Sequence, residues 1–114
     1  MTKTVTSRPS FQGDLMIRRI TAIPPGVKKT APLDGVHIVA HSESGHNHVV
    51  ESRAADRFID ETNAFIAYLD VTSPADIEHL RSFDTHEALH LEPGIYEVRN
   101  QREYTPEGWR PAAD

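Results

Sequence analysis

At 114 residues, of which 38% are hydrophobic and 25% charged, the chain is long enough for one hydrophobic core and too apolar for disorder. The absence of cysteine excludes disulfides, thiolate metal sites and cysteine nucleophiles. A net charge of −5 argues against a nucleic-acid partner, because phosphate binding needs clustered Lys and Arg, and no apolar run reaches the roughly 18 residues of a membrane-spanning helix.

Residues 1–12 are polar and without periodicity, and are expected to form a flexible tail. They also lack the apolar core of a secretory signal, so a cytoplasmic protein is expected. A single β domain is expected over 13–104. Its first strand is "GDLMIRRITAI", Gly13 to Ile23, which gathers β-branched and apolar residues. Pro24-Pro25-Gly26 ends that strand, since proline cannot donate to a ladder. Asp34-Gly35 signals a turn. Val36 to Ala40 and His46 to Glu51 read as the second and third strands, with Ser42 to Gly45 as a hairpin loop between them.

The middle, 53–83, supports two readings. Phe65 to Val71 alternates as a buried strand does. Yet Phe58, Thr62, Phe65 and Leu69 also fall at helical spacing, with Ile59 and Ile66 beside them. Ser73-Pro74 followed by Asp76 resembles a helix start. The turn and β-branch content elsewhere favours strands. Pro93-Gly94 then turns the chain into a strand from Ile95 to Tyr104, with Tyr96, Val98 and Asn100 on one face and Ile95, Glu97 and Arg99 on the other. Residues 105–114 are expected to be an extended tail. The expected fold is all-β, a small antiparallel barrel or sandwich; the alternative is α+β with a helix within 53–83.

Seven histidines carry the candidate chemistry. In "SGHNHVV", His46 and His48 would project from one strand face, at a spacing that lets two imidazoles reach one metal ion. Gly45 permits the sharp turn a site at a strand end needs. The bland alternative is two hydrogen-bonded histidines on a wet face. His79 and His86 stand beside acidic residues able to fix an imidazole tautomer, and His79 would point inward with Ile77. His37, His41 and His90 are poorer candidates. Imidazole donors favour zinc, iron, copper or nickel, and three or four histidines without thiolates suit an open centre. Toward the C-terminus, Gln101, Arg102, Glu103 and Tyr104 form either a ligand-reading row or a charged edge strand that discourages aggregation. There is no phosphate-cradling glycine loop, no G-x-S-x-G and no HExxH.

The segments "QGDLMIRRITAIPPG", "VHIVAHSESGHNHVV" and "HEALHLEPGIYEVRNQREYTPE" resemble a family of small uncharacterised bacterial and phage proteins. That family runs from a "GD" strand through a "GHxH" element to a "PxGxYxVxxQREYxP" ending. The resemblance covers Gln12 to Glu107, with Gly45, His46, His48, His79, His86, Gly94, Tyr96 and Gln101 to Tyr104 at its pattern positions. The stretch between His79 and His86 is longer here than in the family's compact form. The resemblance implies an all-β fold and a histidine cluster, and no activity. The HxH strand is also faintly similar to the cupin metal motif, although Glu51 follows His48 too closely for that motif's glutamate.

The leading expectation is therefore a metal-binding β-barrel protein, with His46, His48, His79 and His86 on one divalent zinc, iron or nickel ion, in the form of a cupin-like metalloenzyme of unknown reaction. The alternative is a non-catalytic binding or accessory module of phage or mobile-element origin. A third reading is a structural protein whose histidines bind nothing. Self-association, as a homodimer, is expected from short strands with apolar edges; neither nucleic acid nor membrane is expected as a partner. Metal affinity should fall as pH drops through about 6.5, because the ligands are neutral imidazoles.

Overall fold

The computed structural model describes residues 2–40, 47–79, 88–100, 102–105 and 108–111, the last two segments as backbone only. Among the described residues every regular element is a strand: β1 (Thr2–Thr4), β2 (Ser10–Gln12), β3 (Leu15–Ile20), β4 (Lys28–Thr30), β5 (Val36–Ala40), β6 (His48–Glu51), β7 (Ala55–Asp60), β8 (Asn63–Val71), β9 (Ala75–His79), β10 (Ala88–Leu91), β11 (Gly94–Asn100), β12 (Arg102–Thr105) and β13 (Gly108–Pro111). They form a five-stranded sheet in the order β1-β10-β9-β6-β5, a six-stranded sheet in the order β2-β3-β11-β8-β7-β4, and a separate β12-β13 ladder. All neighbours are antiparallel except β1 and β10. The all-β expectation holds, as a sandwich-like fold rather than a closed barrel. Among the described residues no helix is long and apolar enough to cross a membrane.

Alternation builds the core. Leu15 and Ile17 of β3, Ala67, Leu69 and Val71 of β8, and Tyr96 and Val98 of β11 face inward from the six-stranded sheet. They meet Val50, Ile77, Leu89 and Leu91 of the five-stranded sheet, as the two-residue period of a strand requires.

The helix alternative within 53–83 gives way to β7, β8 and β9 over its described part. Thr62, one of the residues at helical spacing, sits in the turn between β7 and β8, where Asp60 Oδ1 accepts from both its N–H and its hydroxyl (2.9 and 2.6 Å). Nor does Ser73-Pro74 start a helix. The Thr72 and Ser73 amides donate to the Ala54 carbonyl, and β9 follows. The N-terminal residues also differ from the expected tail: β1 lies along β10, β2 pairs with β3, and Val5 is buried with its amide donating to the His90 carbonyl. The strand expected over Ile95 to Tyr104 is two elements in different sheets, and the C-terminal tail supplies β13 as partner to β12.

One end of the sandwich positions the candidate site. In the five-stranded sheet Ala40 pairs with His48, His48 with His79, and Ile77 with Leu89. The last described residue of β5, the first of β6, the last of β9 and the first of β10 therefore all lie at this end.

Candidate functional site

The β2-β3 hairpin brings the six-stranded sheet to that end. Gln12 pairs with Leu15, leaving Gly13 and Asp14 as a two-residue turn. Gly13 has φ 59°, the positive value that a type II′ turn places at its first central residue, where glycine carries no steric penalty. Ser10 and Gln12 face inward with Leu15 and Ile17, while Phe11 faces solvent. Asp14 is itself buried, 6% exposed.

His48 is fully buried where β6 begins. Its Nδ1 lies 2.8 Å from Gln12 Oε1, and its Nε2 lies 3.6 Å from Asp14 Oδ1. Gln12 completes a bridge between the sheets by donating from Nε2 to the Ile77 carbonyl at 3.1 Å. A buried imidazole thus stands between an amide and a carboxylate, flanked by core side chains.

Of the four histidines expected as metal ligands, His48 is the one whose side chain is among the described residues. His79 holds the ladder position opposite it. His46, His86, His41 and Gln101 lie outside the described residues. Arg102, Glu103 and Tyr104 occupy β12, opposite Pro111, Arg110 and Trp109. Among the described residues no group of three or more His, Asp or Glu is placed to hold a metal ion; His48 and Asp14 are two donors. Sequence reasoning missed Gln12 and Asp14, whose sole signal was the "QGD" that precedes the first apolar run.

The remaining histidines have other surroundings. His37 is buried, its Nδ1 has no hydrogen-bond partner among the described residues, and burial lowers its pKa below the ordinary value. His90 is bound by two carboxylates, Nδ1 to Asp76 Oδ1 at 2.7 Å and Nε2 to Glu92 Oε1 at 3.2 Å. The Asp76 bond, then the Glu92 bond, raise its pKa. On the solvent face of the five-stranded sheet, Val36, Val49, Glu51, Ala75, Asp76 and Glu78 line a groove of about 370 Å³.

No curated protein and no solved structure matches the chain. Residues 11–101, from β2 to just past the end of β11, match a family described as a domain of unknown function, DUF8820. That match takes in both sheets apart from β1, together with the His48 site, and the chain belongs to this family.

Proposed function

We propose that the protein binds one divalent metal ion at the end of the sandwich where β2 turns into β3, β6 begins and β9 ends. The observation that carries this reading is the approach of His48 Nε2 to Asp14 Oδ1 at 3.6 Å inside the protein. Metal–nitrogen and metal–oxygen bonds of about 2.0–2.2 Å to those two atoms would meet at an angle of roughly 120°. That angle suits a tetrahedral or five-coordinate centre. His46, His79 and His86 are the proposed further ligands. His46 precedes His48 by two residues, His79 pairs with His48 in the ladder, and His86 precedes β10, the neighbour of β9. Imidazole with carboxylate suits zinc, iron or nickel. With two of these three histidines joining His48 and Asp14 and the fifth position left to exchangeable water, such a centre would serve as a small cupin-like metalloenzyme of the cytoplasm.

A second reading is a non-catalytic binding module, of the phage or mobile-element kind that the sequence resemblance suggests. The groove over Val36 and Val49, walled by Glu51, Asp76 and Glu78, favours it. Self-association through the sheet edges β1 and β5 is compatible with either, and light scattering at micromolar concentration tests it.

Elemental analysis of protein purified without a histidine tag tests the metal reading, beside Asp14→Asn and the double variant His46→Ala/His48→Ala. Stoichiometric metal in the wild type and its loss in both variants, with the β-type circular dichroism spectrum retained, are expected. Wild-type protein that carries no metal and takes up none on titration with zinc, iron or nickel would refute the reading.

A further inference from the structure

We infer that Gln12 is a positioning residue that locks His48 in the tautomer protonated on Nδ1 and so makes Nε2 the metal-binding nitrogen. The inference rests on the metal reading above, but its geometry is independent of it.

The argument runs through acceptors that cannot donate. The Ile77 carbonyl can only accept, so the end of the Gln12 side chain 3.1 Å from it must be the NH2 group. The other end, 2.8 Å from His48 Nδ1, is then the amide oxygen, which also can only accept. Nδ1 must therefore carry a proton. In a neutral imidazole this leaves the lone pair on Nε2, the atom that faces Asp14 Oδ1 at 3.6 Å. Which ring nitrogen is free for a metal is set by the hydrogen bond that the other one makes. An unconstrained histidine favours the proton on Nε2, so the lock acts against the intrinsic preference.

The frame is rigid enough to hold this choice. Gln12, His48 and Ile77 are each at most 2% exposed and come from β2, β6 and β9. The amide joins residues 36 and 65 positions away in the chain, so it ties the six-stranded sheet to two strands of the five-stranded sheet. A side chain serving only as a tie between sheets would not need both the bond to the Ile77 carbonyl and the one to His48 Nδ1. The second bond orders the imidazole.

Long-range proton–nitrogen NMR spectra of the metal-free, 15N-labelled protein test the lock directly. In the wild type His48 should show a protonated Nδ1 and a pyridine-like Nε2. Gln12→Met, close in shape but without the amide, should shift the proton toward Nε2 and weaken zinc binding by about 10- to 100-fold. Wild-type His48 protonated on Nε2, or on both nitrogens, overturns the inference even if the variant does not fold. A folded Gln12→Met protein with unchanged tautomer and zinc affinity overturns it as well. If the wild type takes up no zinc while its Nδ1 is protonated and Nε2 free, the metal reading fails and the lock stands. If zinc binds but the proton sits on Nε2 before loading, the lock fails and the metal reading stands.

Discussion

Removing the charge of Glu97 should destabilise the fold in a pH-dependent way. Glu97 lies in the middle of β11, opposite Arg18 of β3 and Tyr68 of β8. Its side chain is only 9% exposed, and its Oε1 accepts from Arg18 Nε and Arg99 Nε, both at 3.1 Å. Burial pushes this carboxyl up, but the two arginine bonds outweigh burial and leave its pKa below the ordinary 4.5. Breaking a fully buried ion pair costs about 3–5 kcal/mol. Here the arginines are 44% and 48% exposed, so water would solvate them once the carboxylate is gone. Glu97→Gln also keeps one neutral acceptor. Two charge-assisted bonds of about 1.5–3 kcal/mol reduce, after that replacement and hydration, to an expected loss of about 1–2 kcal/mol at pH 7. Because the folded-state pKa is depressed, the stabilisation is fully present above 4.5 and is lost as pH falls through the folded value. Urea unfolding of wild type and Glu97→Gln should therefore differ most at neutral pH and converge in acid. Equal midpoints at pH 7, or a gap that persists to about pH 2, would refute the reasoning.

Gly94→Ala should cost about 1–3 kcal/mol, read from the shift in thermal midpoint. Gly94 has φ 157°, and an added Cβ would meet the Arg19 guanidinium at 2.6–2.8 Å, displacing the Arg19 bond to the Pro93 carbonyl. Leu69→Ala, at a fully buried position facing the opposite sheet, should cost about 2–5 kcal/mol in urea unfolding. His37→Leu should flatten the loss of stability in mild acid. Burial lowers the His37 pKa, so the neutral ring's contribution is complete above its ordinary 6.5 and declines as pH falls below it; unfolding midpoints at pH 5 and 8 measure this.

Where the fold was legible, a local signal was sufficient. Asp34-Gly35 is a two-residue turn with positive φ at both positions, 51° and 80°, closed by reciprocal bonds between Leu33 and Val36. That is the type I′ geometry such a dipeptide favours, and it delivers Val36 to Ala40 as β5. The inward Tyr96 and Val98 follow the alternation visible in the sequence. The three-residue β1 was not legible, because a segment so short has no period and its ladder partner, Ala88 opposite Thr2, is distant in the chain. Nor does alternation reveal burial on the outward face, where Met16, Tyr68 and Glu97 are all less than 9% exposed. Sandwich against barrel was undecided for the same reason: closure depends on sheet order, and that order is set by pairings between remote segments.

The site divides along the same line. The HxH spacing pointed to His48, because a histidine at a strand start carries its own signal. Gln12 and Asp14 were missed because their roles arise only when the β2-β3 hairpin packs against β6 and β9. A conditional signal was nevertheless present. If Gly13-Asp14 is a two-residue turn, Gln12 must oppose Leu15, and cross-strand partners share a face. Leu15 belongs to the core, so Gln12 is forced inward, where a polar amide needs partners of its own. An inward glutamine one residue before a tight turn is thus a reason to look for a second polar group across the core. In this chain the group that answers is the imidazole of His48, and the turn that directs Gln12 inward also delivers Asp14 to the far side of the ring.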